Sequence, residues 1–197
     1  MEDVHMILGI LSVLFLLGGY TYYIRDTQKG HARPSVVSWG GWGFLTAIAS
    51  AAQIAKGADW SVAVPLASAL GCTAIALVAV RTGYIQFTTL DKTCIALGIV
   101  ALLGWFITQE PIVAILFAIL ADLIVGVPTL VKSYKDPASE TLFPWLTITI
   151  GTTFALAALT TFDAHNLLFP VYILCFDATV TILILRGKFA RSQAGVV

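Results

Sequence analysis

Seven apolar runs, each closed by polar or turn-forming residues, divide the chain at 4–24, 35–55, 61–80, 93–108, 111–131, 141–161 and 166–185. Runs of roughly 16–22 residues match what an α-helix needs to cross a ~30 Å hydrocarbon core. Inside hydrocarbon every backbone N–H and C=O must find its partner within the protein, so each run is expected to be a helix. Gly40, Gly41, Gly43, Pro65, Pro128 and Pro170 do not oppose that expectation, because membrane helices tolerate such residues and use them for close packing and kinks.

The composition agrees. Of 197 residues, 58% are hydrophobic and 11% charged, with a mean hydropathy of +0.91. A soluble domain carries about 25% charged residues, so this chain has too little polar surface to cover a globule in water. Its net charge of zero argues against nucleic acid as a partner. Cys72, Cys94 and Cys175 all lie in apolar runs, which favours small packing residues over a disulfide framework. The opening Met1-Glu2-Asp3-Val4-His5 lacks the basic start and the cleavage site of a secretory signal, so the first run is expected to be retained.

The connecting segments are asymmetric. Arg25, Lys29 and Arg33, then Arg81 and Lys92, then Lys132 and Lys135 occupy alternate loops, and the C-terminal segment adds Arg186, Lys188 and Arg191. These are ten of the eleven basic residues; Lys56 alone falls on the other side. Excess Lys and Arg marks the cytoplasmic face, so the expected topology is seven spans with the N-terminus outside and the C-terminus inside. Arg25, Asp26, Lys29, Lys132, Lys135 and Asp136 are expected to orient the protein and touch anionic lipid.

An internal repeat orders the spans. An offset of 106 residues pairs Lys29 with Lys135, Ser35 with Thr141, Trp39 with Trp145 and Thr46 with Thr152; a one-residue slip then pairs Pro65 with Pro170. Four crossings separate the copies, so both face the same way. The division expected is 1–84 for a first triple-helix repeat, 85–109 for a linker helix and 110–197 for a second triple-helix repeat. Parallel repeats of this kind are a common transporter construction, with the binding site between the halves near mid-membrane.

This all-α 3+1+3 arrangement, N-out and C-in, resembles the SWEET, SemiSWEET and PQ-loop superfamily of small membrane transporters, which includes KDEL-receptor-like relatives that bind peptides. The basic loop and the hydroxyl-to-Trp segment after it (Ser35 to Trp39, Thr141 to Trp145) are similar to the stretch on the C-terminal side of the Pro-Gln pair in that superfamily. The pair itself reads Pro128-Thr129 in the second copy and Tyr22-Tyr23 in the first. The resemblance implies a site lined by the third helix of each repeat, with the second contributing. The matching positions are Gly71, Cys72 and Asp177. Sugar-transporting relatives carry asparagines on those helices and this chain does not, so the pattern is closer to relatives with acidic residues and proton coupling.

Two carboxylates, Asp122 and Asp177, lie well inside spans. Each stands eleven residues into its run, roughly 16 Å deep at the helical rise. No Lys, Arg or His is expected inside a span, because His5, His31 and His165 all map to ends and loops. An ionisable group at that depth is a functional candidate by default. Without a counter-ion it avoids desolvation by keeping its proton, and it titrates when water enters, as a proton relay requires. The bland alternative is a neutral acid hydrogen-bonded to a neighbouring helix. Both are candidates for proton coupling, and Asp177 also for substrate binding.

Trp42 and Thr46 on the second run and Thr152 on the sixth are further candidates for the binding site. Thr147, Thr149, Thr152 and Thr153 could equally serve backbone carbonyls. Trp39, Trp60 and Trp145 near span ends suit an aromatic belt or packing, Trp105 lies deeper, and Tyr20, Tyr22 and Tyr23 are expected to be interfacial. No metal cluster, phosphate loop, nucleophile elbow or Cys-His pair is legible, so neither an enzyme nor a cofactor is expected. The leading expectation is a transporter for a small polar metabolite, coupled to protons, in a bacterial inner membrane. Its partners are that small-molecule substrate and the lipid bilayer; a homo-oligomer stays open. A receptor or sensor using the same pocket is the alternative, and a membrane enzyme or its accessory subunit is third.

Overall fold

The computed structural model describes residues 2–55, 62–83, 87–108 and 110–193, without the side chains of residues 2, 111, 165 and 193. Trp60 and Lys56 lie outside the described residues. Within them the chain forms seven α-helices and no strand: α1 (Glu2–Gln28), α2 (Val36–Ala55), α3 (Ala63–Arg81), α4 (Thr89–Ile107), α5 (Pro111–Lys135), α6 (Leu142–Ala157) and α7 (Ala164–Gln193), with a single 3₁₀ turn (Pro137–Ser139) before α6.

The ends follow local chemistry. After α1, Gly30 takes a left-handed φ of 75°, and the His31 and Ala32 amides turn back to the Asp26 carbonyl. A capping box starts α4 earlier than hydropathy alone suggests: the Thr88 hydroxyl accepts from the Asp91 amide, and the Asp91 carboxylate accepts from the Thr88 amide. Pro111 opens α5, where its missing N–H is harmless. Pro128 and Pro170 sit inside α5 and α7 without ending them.

Five helices (α1, α3, α4, α5 and α7) are long and apolar enough to cross a membrane. Their outer faces expose Leu14, Leu70, Leu77, Val100, Leu103 and Ile182, among others, and only 22–39% of each apolar window is buried inside the protein. Water would penalise such a surface; lipid would not. The chain is therefore a multi-pass helical membrane protein. The other two helices differ. α6 has 16 residues and spans about 24 Å, whereas α2 carries Ser, Gly, Trp, Thr and Gln within its 20 residues.

Six helices form a closed ring of neighbours, in the order α1, α6, α7, α5, α2, α3 and back to α1. Helix α4 lies outside the ring against α5 and brushes α2. Contacts at Gly19 with Ile148, and of Phe15 with Phe154, make α1 and α6 antiparallel. Thr149 with Thr181, and Thr152 beside Asp177, make α6 and α7 antiparallel. Asp122 with Tyr172, and Gly126 with Phe176, make α5 and α7 parallel. Helices α1, α5 and α7 thus run the same way.

Close approach within the ring depends on glycine. A Cβ on Gly71 of α3 would drive into Cδ2 of the Tyr20 ring in α1, and one on Gly126 of α5 would stand 2.7 Å from the Phe176 ring of α7. Each glycine is the flat seat on which an aromatic ring rests.

Candidate functional site

The ring encloses a polar interior bounded by aromatics. Asp122 and Asp177 are 2% and 7% exposed, respectively, and neither forms an ion pair among the described residues. Tyr172, five residues before Asp177 on α7, donates its phenolic hydrogen to Oδ2 of Asp122 at 2.9 Å. The Trp42 indole N–H reaches from α2 to the Asp122 backbone carbonyl at 3.3 Å. Oδ2 of Asp177 has no hydrogen-bond partner among the described residues, and the Thr152 hydroxyl of α6 faces that carboxyl.

Two further helices contribute, α1 and α3. From α1, the Tyr20 hydroxyl donates to Oγ of Ser68 on α3 at 3.2 Å, with the Cys72 thiol beside it. The Thr149 and Thr181 hydroxyls join α6 to α7 at 3.0 Å, and Thr181 also bonds back to the Asp177 carbonyl at 2.9 Å. Two carboxyls, two phenols, hydroxyls and a thiol therefore face one interior. Such an arrangement can hold and pass protons, or hold a polar ligand, once water or a ligand reaches it.

Most of the sequence-expected positions meet here. Asp122, Asp177, Cys72, Trp42 and Thr152 turn inward together. Gly71 is present as the seat of the Tyr20 ring rather than as an open wall. Thr46 is half-buried, and its hydroxyl donates to the Trp42 and Gly43 carbonyls of its own helix at 2.6 and 3.3 Å. The hydroxyls of Thr147, Thr149, Thr152 and Thr153 likewise return to carbonyls of α6.

Several expectations need correcting. Tyr20 and Tyr23 are 6% and 0% exposed and lie in the core; Tyr22, at 43%, is the exposed one of the three. Trp39 and Trp145 are each 1% exposed, so of belt and packing it is packing that holds. They stack with Tyr23 and Trp42 into one aromatic cluster (Trp39 to Tyr23 4.8 Å, to Trp42 5.3 Å, to Trp145 5.6 Å between centroids). Cys175 is exposed and not a packing residue, while Cys72 and Cys94 are buried. Lys132 is not simply a lipid-facing charge, because it turns inward to a carboxylate.

That carboxylate is Glu140, which the sequence alone did not single out. It follows the 3₁₀ turn and is 4% exposed. Its Oε2 accepts from the Tyr23 hydroxyl of α1 at 2.6 Å and from the Trp145 indole N–H at 2.9 Å, and its Oε1 pairs with the Lys132 ammonium of α5 at 2.5 Å. Lys132 also donates to the Arg33 carbonyl. Trp42 touches the Asp122 carbonyl on one side and Trp39 and Trp145 on the other, so the aromatic cluster separates the two aspartates from the Glu140 node. Tyr20, Ser68 and Tyr172 are likewise polar members of the interior that residue type alone does not mark.

These features define a multi-pass helical membrane protein with an acidic, hydroxyl-rich interior. Comparison with protein-family models, with curated proteins and with solved structures finds no match.

Proposed function

We propose that the chain is a small-molecule membrane transporter of the SWEET and PQ-loop kind, in which two three-helix halves rock about the Asp122–Asp177 interior. One observation carries this: two buried carboxyls from α5 and α7 share an interior with no cation paired to either among the described residues. Two such groups burden stability, and a protein gains from them where they bind or relay protons during turnover.

The helix neighbours support the two halves. Advancing α1, α2 and α3 to α5, α6 and α7 maps each ring contact onto another: α1–α3 onto α5–α7, α2–α3 onto α6–α7, and α1–α6 onto α5–α2. The aromatic seats follow the same mapping with sizes exchanged. Tyr20 over Gly71 corresponds, at the repeat offset, to Gly126 under Phe176. Helices α1 and α5 run the same way, as parallel repeats require. In this reading α2 and α6 also cross the bilayer: α2 dilutes its apolar run with glycine, serine and threonine, and α6 is apolar but has only 16 residues. The basic ends face the cytoplasm, in a bacterial inner membrane, and the substrate is a small polar metabolite taken up with protons.

Purified protein in proteoliposomes, bathed in a defined mixture of amino acids, sugars and organic acids, tests the reading by mass spectrometry of the lumen. Transport gives accumulation above protein-free vesicles. Ligand-induced thermal stabilisation without accumulation would replace it with a receptor.

A further inference from the structure

We infer that the Glu140 node is a latch that holds the two halves closed at the basic end of the ring, and that its opening exposes the acidic interior to that face. The inference rests on the proposed division into two rocking halves.

The bonds of this node cross between the halves. Tyr23 of α1 donates to Glu140, which belongs to the second half, and Lys132 of α5 donates to the Arg33 carbonyl of the first. Around them the Arg33 amide donates to the Ser139 carbonyl at 2.9 Å, and the Arg33 guanidinium pairs with Asp136 at 3.3 Å. At the other end, His5 Nδ1 lies 3.2 Å from the Ala158 carbonyl, and apolar contacts such as Phe15 with Phe154 accompany it. The ring therefore has a dense polar closure at its basic end. The α7 C-terminal segment reaches the same closed end, where Arg186 donates to the Tyr134 carbonyl and Gly187 rests on Pro137.

The closure is built to switch rather than to slide. When α1 moves away from α5 and α6, Glu140 loses the Tyr23 phenol and Lys132 loses the Arg33 carbonyl, while Lys132 and Trp145 stay on Glu140 within the second half. The crossing bonds release together, because interlocked polar packing is two-state rather than continuously deformable. Hydroxyls stand ready near this end: Thr129 and Ser133, which flank Lys132 on α5, and Ser38, next to Trp39, are buried with no partner among the described residues. They give entering water polar partners once the latch is released.

Cys72 makes the opening measurable, since its thiol is 5% exposed and lies beyond the aromatic cluster from Glu140. In a Cys94→Ser, Cys175→Ser protein, Cys72 is the sole cysteine. Sealed vesicles are treated with a membrane-impermeant cationic methanethiosulfonate, applied to the face that displays a C-terminal tag or to the other. Glu140→Gln and Lys132→Met should each speed modification from the tagged face about tenfold or more, since removing one partner of a buried pair shifts a closed state by at least that factor. Modification from the other face should not rise.

A second protein keeps Cys94 alone, on α4 outside the ring, and carries Glu140→Gln; its labelling should match its own parent. Equal Cys72 rates in parent and variants overturn the latch, as does acceleration from both faces or matching acceleration at Cys94, which would mean general loosening. Flux without variant-dependent labelling removes the latch alone. Sided labelling without flux removes the transport reading and leaves a gated receptor.

Discussion

Trp39 and Trp145 stand 106 positions apart and meet in the centre of the ring, with centroids 5.6 Å apart, planes inclined at 49° and 1% of each residue exposed. Two large side chains, one from α2 and one from α6, share one packed site, so neither can be trimmed without leaving a hole. Trp39→Ala or Trp145→Ala should cost about 3–5 kcal/mol. Trp105→Ala, at a half-buried position on α4, should cost about 1 kcal/mol. Thermal melts of the purified variants check the ranking.

Glycine substitutions should divide by location. Gly71→Ala forces a methyl group into the Tyr20 ring and parts α1 from α3, an overpacking penalty of about 1–3 kcal/mol or more. Gly9 of α1 has nothing within 4 Å of its built Cβ, so Gly9→Ala should be neutral or should stabilise by about 0.5–1 kcal/mol through helix propensity. Melting temperatures that move in opposite directions are the expected result.

The two ion pairs of the basic end should differ sharply. Arg33 and Asp136 are about half exposed, and Arg33→Ala should cost no more than about 1 kcal/mol. Glu140 is buried beneath Lys132, Tyr23 and Trp145, so Glu140→Ala strands three donors at once. Lys132 keeps 24% of its side-chain surface exposed and can recover some hydration, which brings the expected loss to about 2–3 kcal/mol. Denaturation of both variants in one detergent decides the order.

The concentration of basic residues predicts a cytoplasmic C-terminus. A C-terminal fluorescent protein that matures only in the cytoplasm should light up, and an alkaline phosphatase fused at the same place should stay inactive. The reverse pattern would turn the topology over.

Much of the fold is legible from residues alone. Apolar runs mark all seven helices, and five of these helices are long and apolar enough to cross hydrocarbon. Asp122 and Asp177 are legible because a carboxyl in an apolar run has few bland explanations. The 106-residue offset also brings out Trp39 and Trp145 as equivalent, although their shared burial is not visible in it. Glu140 is illegible for a physical reason: it is a loop residue flanked by Ser139 and Thr141, and its burial comes from a tyrosine 117 positions away. Tyr20 and Tyr23 mislead for the same reason, since aromatic residues near a span end face lipid headgroups or a neighbouring helix according to rotation alone. The start of α4 moves four residues, to Thr89, because a capping box sets a helix end more sharply than hydropathy does.

The most direct test compares wild type with Asp177→Asn in proteoliposomes bathed in the metabolite mixture, with and without an inward proton gradient. The transport account predicts gradient-dependent accumulation by wild type and its loss in Asp177→Asn, with circular dichroism and melting temperature retained. Accumulation by Asp177→Asn equal to that of wild type, under the same gradient, would contradict it.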